Sequence, residues 1–138
     1  MVQVHVSNRN EIVDLIADLD GTIAIISVTD PDEPTAFLGS YENRNDFVLR
    51  LQFHDLDKIW PQLKEVTYFD NIMAASIIQF VHKNKHVNHI IVHCEAGVSR
   101  SPAIAAVICE HFDIQHTFFK RYQPNKMVFS VLKTMFEL

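Results

Sequence analysis

Four short stretches rich in apolar and β-branched residues predict β-strands. The first alternates apolar and polar residues, as a strand does when one face is buried, and the second follows the turn signal Asp20-Gly21. The last is apolar in its second half, as expected of a central parallel strand that is covered on both faces. The predicted strands are residues 2–6, Thr22–Val28, Phe47–Phe53 and Val87–His93.

Four other segments have the apolar spacing of helices. Asn8 and Glu11 have the spacing of a capping box before a short first helix. Apolar residues at three- and four-residue steps predict a long helix from Pro61 to about Lys83, and further helices over Pro102–Phe112 and after Pro124. Because strands alternate with helices, the predicted fold class is an α/β sandwich with a central, mostly parallel sheet flanked by helices.

Composition narrows the class of protein. The chain has 138 residues, of which 48% are hydrophobic, and a formal net charge of −5. These values predict one folded domain over residues 1–138, and we find no repeat or flexible linker. The acidic balance disfavours a nucleic-acid or membrane partner, which would require a basic face. With two cysteines, no membrane-length apolar run and no secretory signal pattern, we expect a cytoplasmic protein without disulfides.

The candidate chemistry is concentrated in the segment His93-Cys94-Glu95-Ala96-Gly97-Val98-Ser99-Arg100-Ser101, between a predicted strand and a predicted helix. A loop that leads into a helix can turn its backbone N–H groups inward and bind an anion, helped by the helix dipole. Gly97 permits the turn. The electrostatic field of the N–H groups and the helix dipole also favours the nucleophilic thiolate form of Cys94. Arg100 offers a planar pair of donors that matches two oxygens of a phosphoryl group.

This segment resembles the His-Cys-x5-Arg-Ser signature of the cysteine-dependent protein tyrosine phosphatase superfamily, and it is most similar to that of the small dual-specificity phosphatases. The order of elements from about Thr22 onward is also similar. The resemblance implies that Cys94 is the nucleophile, that Ser101 stabilises its thiolate as a leaving group, and that His93 shapes the loop. It also implies that the phosphoryl group is bound by the side chain of Arg100 and by the backbone amides of Glu95, Ala96, Gly97, Val98, Ser99 and Arg100.

The resemblance further implies a general acid on a loop after an earlier strand. Asp55 fits best because it closes the strand Phe47–Phe53. Asp57 is the rival, because its interval to Cys94 is closer to the interval usual in the family. The match of residues 124–125 to the Pro-Asn of the family implies that Asn125 hydrogen-bonds back to the active-site region, and by residue type Asn125 also suits a helix cap.

Other reactive side chains have simpler interpretations. We expect Cys109 to be a small buried thiol in the helix after the loop, rather than a redox partner of Cys94. The histidines lack carboxylate partners at ligand spacing, so we expect no metal site, and the predicted chemistry needs no cofactor. The acidic residues of the polar loop between the second and third strands are expected to be solvated, namely Asp30, Asp32 and Glu33.

The sequence thus predicts a monomeric phosphatase that hydrolyses phosphomonoesters. The expected substrate is a phosphorylated protein or small phosphoester, with phosphotyrosine first and phosphoserine or phosphothreonine in addition. One alternative is a catalytically weak, phosphopeptide-binding pseudophosphatase, and another is a relative that acts on non-protein phosphates of lipids or RNA. Such relatives tend to carry basic residues in the loop, whereas this loop has Glu95 and no lysine. Sulfur transfer by a rhodanese-like loop is disfavoured, because that chemistry does not use the serine after the arginine or an upstream aspartate.

Overall fold

Strands and helices alternate along most of the chain, and the computed structural model describes all 138 residues. The strands are β1 (Gln3–Asn8), β2 (Ile23–Thr29), β3 (Val48–Gln52) and β4 (His89–Cys94). The helices are α1 (Ile12–Asp18), α2 (Asn71–Lys83), α3 (Arg100–His111), α4 (Phe118–Arg121) and α5 (Lys126–Phe136). Two short 3₁₀ turns, Gly39–Tyr41 and Asn45–Phe47, precede β3. No helix is both long enough and apolar enough to cross a bilayer.

The four strands form one sheet in the order β1-β4-β2-β3, and every pairing is parallel. This confirms the predicted α/β class with a parallel central sheet. All residues of the two central strands, β2 and β4, are buried, which agrees with their mostly apolar sequences. Because the carboxyl ends of parallel strands lie at one edge of a sheet, the loops that follow the four strands converge there.

Helices cover both faces of the sheet. Ala24 and Ile26 of β2 pack with residues of α2, α3 and α5 on one face, whereas Ile25 packs with α1 and the segment 36–41 on the other. Helix α3 is buried from Arg100 to Cys109. Its large apolar side chains, such as Ile104, are fully buried, which stabilises the fold by roughly 1.5–3 kcal/mol for each such residue. This packing fixes the N-terminal end of α3 beside the carboxyl end of β4.

The helix predicted from Pro61 begins later, at Asn71, so its predicted start was wrong. The side chain of Asp70 accepts a hydrogen bond from the N–H of Met73 and caps α2 there. The preceding segment is tied to the end of β3 instead, because the N–H of His54 donates to Thr67 O and the N–H of Thr67 donates to His54 Nδ1. Residues 55–66 therefore form a closed loop at the edge of the sheet where the strands end.

The first helix begins at Ile12, but a reciprocal capping box does not form. Asn8 Oδ1 accepts hydrogen bonds from the N–H groups of Asn10 and Glu11, each at 2.9 Å. Glu11 makes no capping hydrogen bond with its side chain. Asn8 thus forms a local turn that carries the chain from β1 into α1.

Candidate active site

The loop of residues 95–99 joins β4 to α3 and bends sharply around Gly97. Gly97 has a φ of +73°, and a Cβ atom at this position would lie 2.8 Å from the backbone oxygen of Ser7 in β1. Both the left-handed backbone and the close approach to β1 favour glycine. The loop is thereby held against the edge of the sheet where the strands end.

Cys94 is the last residue of β4, and its side chain is surrounded by donors. The residue is only 2% exposed. Its Sγ lies 3.2 Å from the N–H of Gly97 and 3.1 Å from Ser101 Oγ, on the first turn of α3. A thiolate at Cys94 would accept hydrogen bonds from both groups. The structure therefore brings together the predicted nucleophile and the serine predicted to stabilise it.

Most backbone amides of the loop have no acceptor within the protein. The N–H of Gly97 donates to Cys94 Sγ, whereas those of Glu95, Ala96, Val98 and Ser99 donate to no protein acceptor. The N–H of Arg100, at the start of α3, also donates to no protein acceptor. Such a group of amides at a helix N terminus forms an anion-binding concavity.

Arg100 is held by one of its three guanidinium nitrogens. Its Nη1 donates to Asp30 Oδ1 at 2.7 Å and to the backbone oxygen of Phe53 at 2.6 Å. The Nε of Arg100 is buried and has no hydrogen-bond partner, and Nη2 also donates to no protein acceptor. The edge formed by Nε and Nη2 is thus available for two oxygens of one oxyanion.

Asp30 therefore has a contact that the sequence analysis missed, and the prediction that it is merely solvated was wrong. It follows β2, the neighbour of β4, so its side chain reaches Arg100 from an adjacent strand end. Asp32 agrees with the prediction, since its side chain is 84% exposed. The sequence shows that Asp30 comes directly after a buried strand. It does not show that this strand lies beside β4, which is what brings Asp30 to Arg100.

The carboxylate of Glu95 pairs with Arg9, which follows β1. Its Oε1 lies 2.7 Å from Arg9 Nε, and its Oε2 accepts from Arg9 Nη2 at 3.1 Å and from the N–H of Asp30 at 3.1 Å. The hydrogen bond from Arg9 is the main cause that lowers the pKa of Glu95, and the same contact raises the pKa of Arg9. The negative charge of Glu95 is thus compensated by Arg9, a residue that no motif indicated.

His93 lies beneath the loop and is completely buried. Its Nε2 is 2.6 Å from Ser27 Oγ in β2, and its Nδ1 is 3.2 Å from the backbone oxygen of Cys94. Burial lowers the pKa of His93 to about 4, so the ring is neutral at neutral pH. A neutral ring that donates from Nδ1 to Cys94 accepts at Nε2 from Ser27, and this links the loop to the centre of the sheet.

The two candidate acids occupy different positions. Asp55 lines the pocket that contains Cys94, and its Oδ1 accepts from Ser99 Oγ at 2.9 Å and from Asn125 Nδ2 at 2.8 Å. Asp57 lines an adjoining groove and not the pocket with Cys94. Asn125 also accepts at Oδ1 from the N–H of Val128, so the same side chain caps α5 and contacts the acid loop.

The pocket above Cys94 has a volume of about 300 Å³. No aromatic side chain lines it, and Ala96 and Val98 provide its apolar surface. Gln123, which the sequence analysis did not select, completes one wall, and its N–H donates to the backbone oxygen of Val98 at 3.1 Å. The full lining comprises Asp55, Cys94, Glu95, Ala96, Val98, Ser99, Arg100 and Gln123.

Comparison with solved structures identifies the fold. The crystal structure of PTPMT1 in complex with PI(5)P matches with a TM-score of 0.59 and 19% sequence identity, covering 98% of this chain and 90% of that one. The crystal structure of Tk-PTP in the active form matches with a TM-score of 0.55 and 16% identity, covering 99% of this chain and 93% of that one. The chain has the protein tyrosine phosphatase fold. No protein-family model matches the sequence, and no curated protein matches it.

The remaining cysteine, Cys109, lies away from the loop of residues 95–99. Cys109 is buried in α3, and burial raises the pKa of its thiol to about 11. It lines a separate cavity of about 650 Å³ beside α4 together with Val4 and Phe118. Within the structure no cluster of histidine, cysteine and acidic side chains is arranged to hold a metal ion.

Proposed function

We propose that the protein hydrolyses phosphomonoesters through a cysteinyl-phosphate intermediate at Cys94. The observation that carries this proposal is the guanidinium of Arg100. Its Nη1 is held by Asp30 and Phe53, while its buried Nε and its Nη2 have no protein partner. Together with the free loop amides, this edge supplies donors for a phosphoryl group in the pocket that also contains Cys94.

The first step transfers the phosphoryl group to the protein. The Cys94 thiolate attacks phosphorus, so that an S–P bond forms while the bond from phosphorus to the ester oxygen breaks. Asp55 donates a proton to the departing oxygen, which leaves as an alcohol. Arg100 and the loop amides stabilise the negative charge of the equatorial oxygens throughout the transfer.

The second step regenerates the thiolate. The Asp55 carboxylate accepts a proton from a water molecule that attacks phosphorus, and the S–P bond breaks to release inorganic phosphate. The Cys94 sulfur leaves as a thiolate, which accepts a hydrogen bond from Ser101 Oγ. The cycle uses only groups of the chain and water.

For the substrate we propose, from the sequence resemblance, a phosphorylated side chain of a protein. The pocket is of moderate volume and without aromatic walls, which is compatible with phosphotyrosine and with shorter phosphorylated side chains. A second candidate is a non-protein phosphate, since PTPMT1 has been crystallised with PI(5)P. An acidic residue in the loop, Glu95, disfavours polyanionic substrates. This effect is weaker here because Arg9 compensates the charge of Glu95.

The test is hydrolysis of an aryl phosphate between pH 5 and 8 in the presence of a chelator. We expect turnover by the wild-type protein, and loss of turnover with Cys94→Ser or with vanadate. The matched control is Cys109→Ser, which removes the other buried thiol and should retain turnover. Absence of turnover from folded, reduced wild-type protein would contradict the proposal and favour a phosphopeptide-binding pseudophosphatase.

A further inference from the structure

Four charged side chains form a continuous series of contacts at the edge of the sheet where the strands end. They come from different elements: Arg9 follows β1, Glu95 follows β4, Asp30 follows β2, and Arg100 begins α3. The Glu95 carboxylate accepts from Arg9 and from the N–H of Asp30. The Asp30 carboxylate accepts in turn from Arg100. The guanidinium assigned to the phosphoryl group is thereby connected to Arg9, which does not line the pocket.

Asp30 can hold Arg100 only while its own position is fixed. Its side chain is 38% exposed, so water competes with Arg100 for the carboxylate. Two backbone contacts restrict Asp30: its N–H donates to Glu95 Oε2 at 3.1 Å, and its carbonyl oxygen accepts from Gln52 Nε2 at 3.2 Å. With both groups engaged, only the side-chain torsions of Asp30 are free, and its carboxylate stays within reach of Arg100.

The acceptor that holds the N–H of Asp30 is itself fixed by Arg9. Two nitrogens of Arg9 meet the two carboxylate oxygens of Glu95 at 2.7 and 3.1 Å, which is the two-point geometry of a strong arginine–carboxylate pair. Both side chains are largely buried, at 27% and 23% exposure, so solvent screens the pair less than an open surface ion pair. Arg9 also donates to the backbone oxygen of Pro34, in the loop that Asp30 begins.

Loss of this support would leave Arg100 with one acceptor for Nη1, the backbone oxygen of Phe53. A guanidinium held at a single point can turn about it, so Nε and Nη2 would no longer keep one direction. Donors stabilise a transition state best when their direction is fixed beforehand.

We propose that Glu95 and Arg9 are positioning residues for Arg100: the pair fixes Asp30, and Asp30 fixes the guanidinium with Nε and Nη2 available to the phosphoryl group. The inference rests on the proposed phosphatase function and adds two side chains to it. In this role neither side chain touches the substrate. The sequence resemblance assigned only the backbone amide of Glu95, and it assigned nothing to Arg9.

The experiment measures the dissociation constant of vanadate and kcat/KM for an aryl phosphate with Glu95→Met and Arg9→Met. Groups that orient a binding side chain change affinity or activity by roughly 10–100-fold in metal sites. Because Gln52 also holds Asp30, we expect the low end, about a tenfold loss in both quantities for each variant.

The matched control is Arg50→Met. Arg50 also pairs with a carboxylate, that of Glu42, and donates to a backbone oxygen between β2 and β3, that of Ala36. It contacts neither Asp30 nor Glu95, so vanadate affinity and kcat/KM should stay within about twofold of the wild type.

The sign of the effect separates positioning from direct electrostatics. Glu95→Met removes a negative charge beside an anion site, so a purely electrostatic role would make vanadate bind more tightly, whereas Arg9→Met would weaken its binding. Positioning predicts weaker binding with both substitutions. The double variant should bind vanadate about as weakly as Glu95→Met alone, because the two residues act as a unit.

Alkylation of Cys94 by iodoacetamide separates positioning from damage to the loop. In a Cys109→Ser background Cys94 is the only thiol. Its Sγ is held by the N–H of Gly97 and by Ser101, so a disordered loop would shift the pH dependence of alkylation. We expect the midpoint of that dependence to stay within about half a pH unit of the wild type in both variants.

Three outcomes would overturn the inference. They are tighter vanadate binding by Glu95→Met, unchanged vanadate binding by either variant, and a loss of affinity that is accompanied by a shifted alkylation midpoint. Vanadate binding does not require turnover, so the two proposals fail separately. A wild-type protein that binds vanadate but hydrolyses no ester would contradict the phosphatase function, whereas active variants that match the wild type would contradict only the positioning role.

Discussion

Arg100→Lys is the substitution that most directly tests the proposed role of the guanidinium. It retains a positive charge but replaces a planar group of three nitrogens by a single ammonium. In the wild-type protein Nη1 is engaged by Asp30 Oδ1 at 2.7 Å and by Phe53 O at 2.6 Å, and the phosphoryl group is assigned to Nε and Nη2. A lysine ammonium cannot occupy both positions at once.

The expected loss follows from the number of hydrogen bonds removed. If the ammonium stays with Asp30, two charge-assisted hydrogen bonds to the phosphoryl oxygens are lost, each contributing about 1.5–3 kcal/mol. The retained charge recovers part of this, which leaves a loss of about 3–4 kcal/mol in transition-state stabilisation. That corresponds to a decrease of roughly 10²–10³-fold in kcat/KM.

The assay is kcat/KM for an aryl phosphate, with the dissociation constant of vanadate measured in parallel and urea unfolding as a check on folding. Arg44→Lys serves as the control, because Arg44 is exposed and stacks on Tyr41 outside the pocket. An Arg100→Lys protein that is folded and within about threefold of the wild type would refute the assignment of Nε and Nη2 to the phosphoryl group.

Three further predictions concern other parts of the site. Asp55→Asn should abolish the acidic-to-neutral pH dependence of kcat for an alkyl phosphate, whereas Asp57→Asn should retain it; the reverse pattern would transfer the acid role to Asp57. Gly97→Ala should lower the free energy of unfolding by about 1–3 kcal/mol in urea titration, since its φ is +73° and a Cβ would meet Ser7 O at 2.8 Å; an unchanged value would contradict the strain argument. Burial lowers the pKa of His93 from 6.5 to about 4, so between pH 4 and 6.5 the unfolded state binds more protons than the folded state. The free energy of unfolding should therefore fall by up to about 3 kcal/mol as the pH decreases from 6.5 to 4. His93→Asn should reduce that slope, and an identical slope would assign it to other groups.

The parts of the site that could be predicted from sequence are those formed by contiguous residues. The nine residues from His93 to Ser101 contain the end of a buried strand, a glycine with a left-handed backbone conformation and the start of a helix. Their geometry is local, so the pattern alone indicated an anion-binding loop with a cysteine beneath it. The cap formed by Asn125 was also local and matched its residue type.

The parts that sequence reasoning missed depend on the order of strands in the sheet. Asp30 reaches Arg100 because β2 lies beside β4, and Arg9 reaches Glu95 because β1 lies on the other side. No periodicity in the chain encodes that order. The start of α2 was missed for another reason: Leu63 has helical spacing to later apolar residues, but the Asp70 cap overrides this pattern.

The contacts that hold the proposed phosphoryl-binding groups in place have a consequence for inhibition by inorganic phosphate. Asp30 and Phe53 fix Arg100, and His93 supports the loop from below, so the donors do not depend on the esterified alcohol for their arrangement. Inorganic phosphate presents the same tetrahedral oxyanion as the ester and requires no rearrangement to bind. Under the proposed mechanism, inorganic phosphate would therefore compete with the ester for these donors, and a higher phosphate concentration would raise the apparent KM and slow hydrolysis at low substrate concentration.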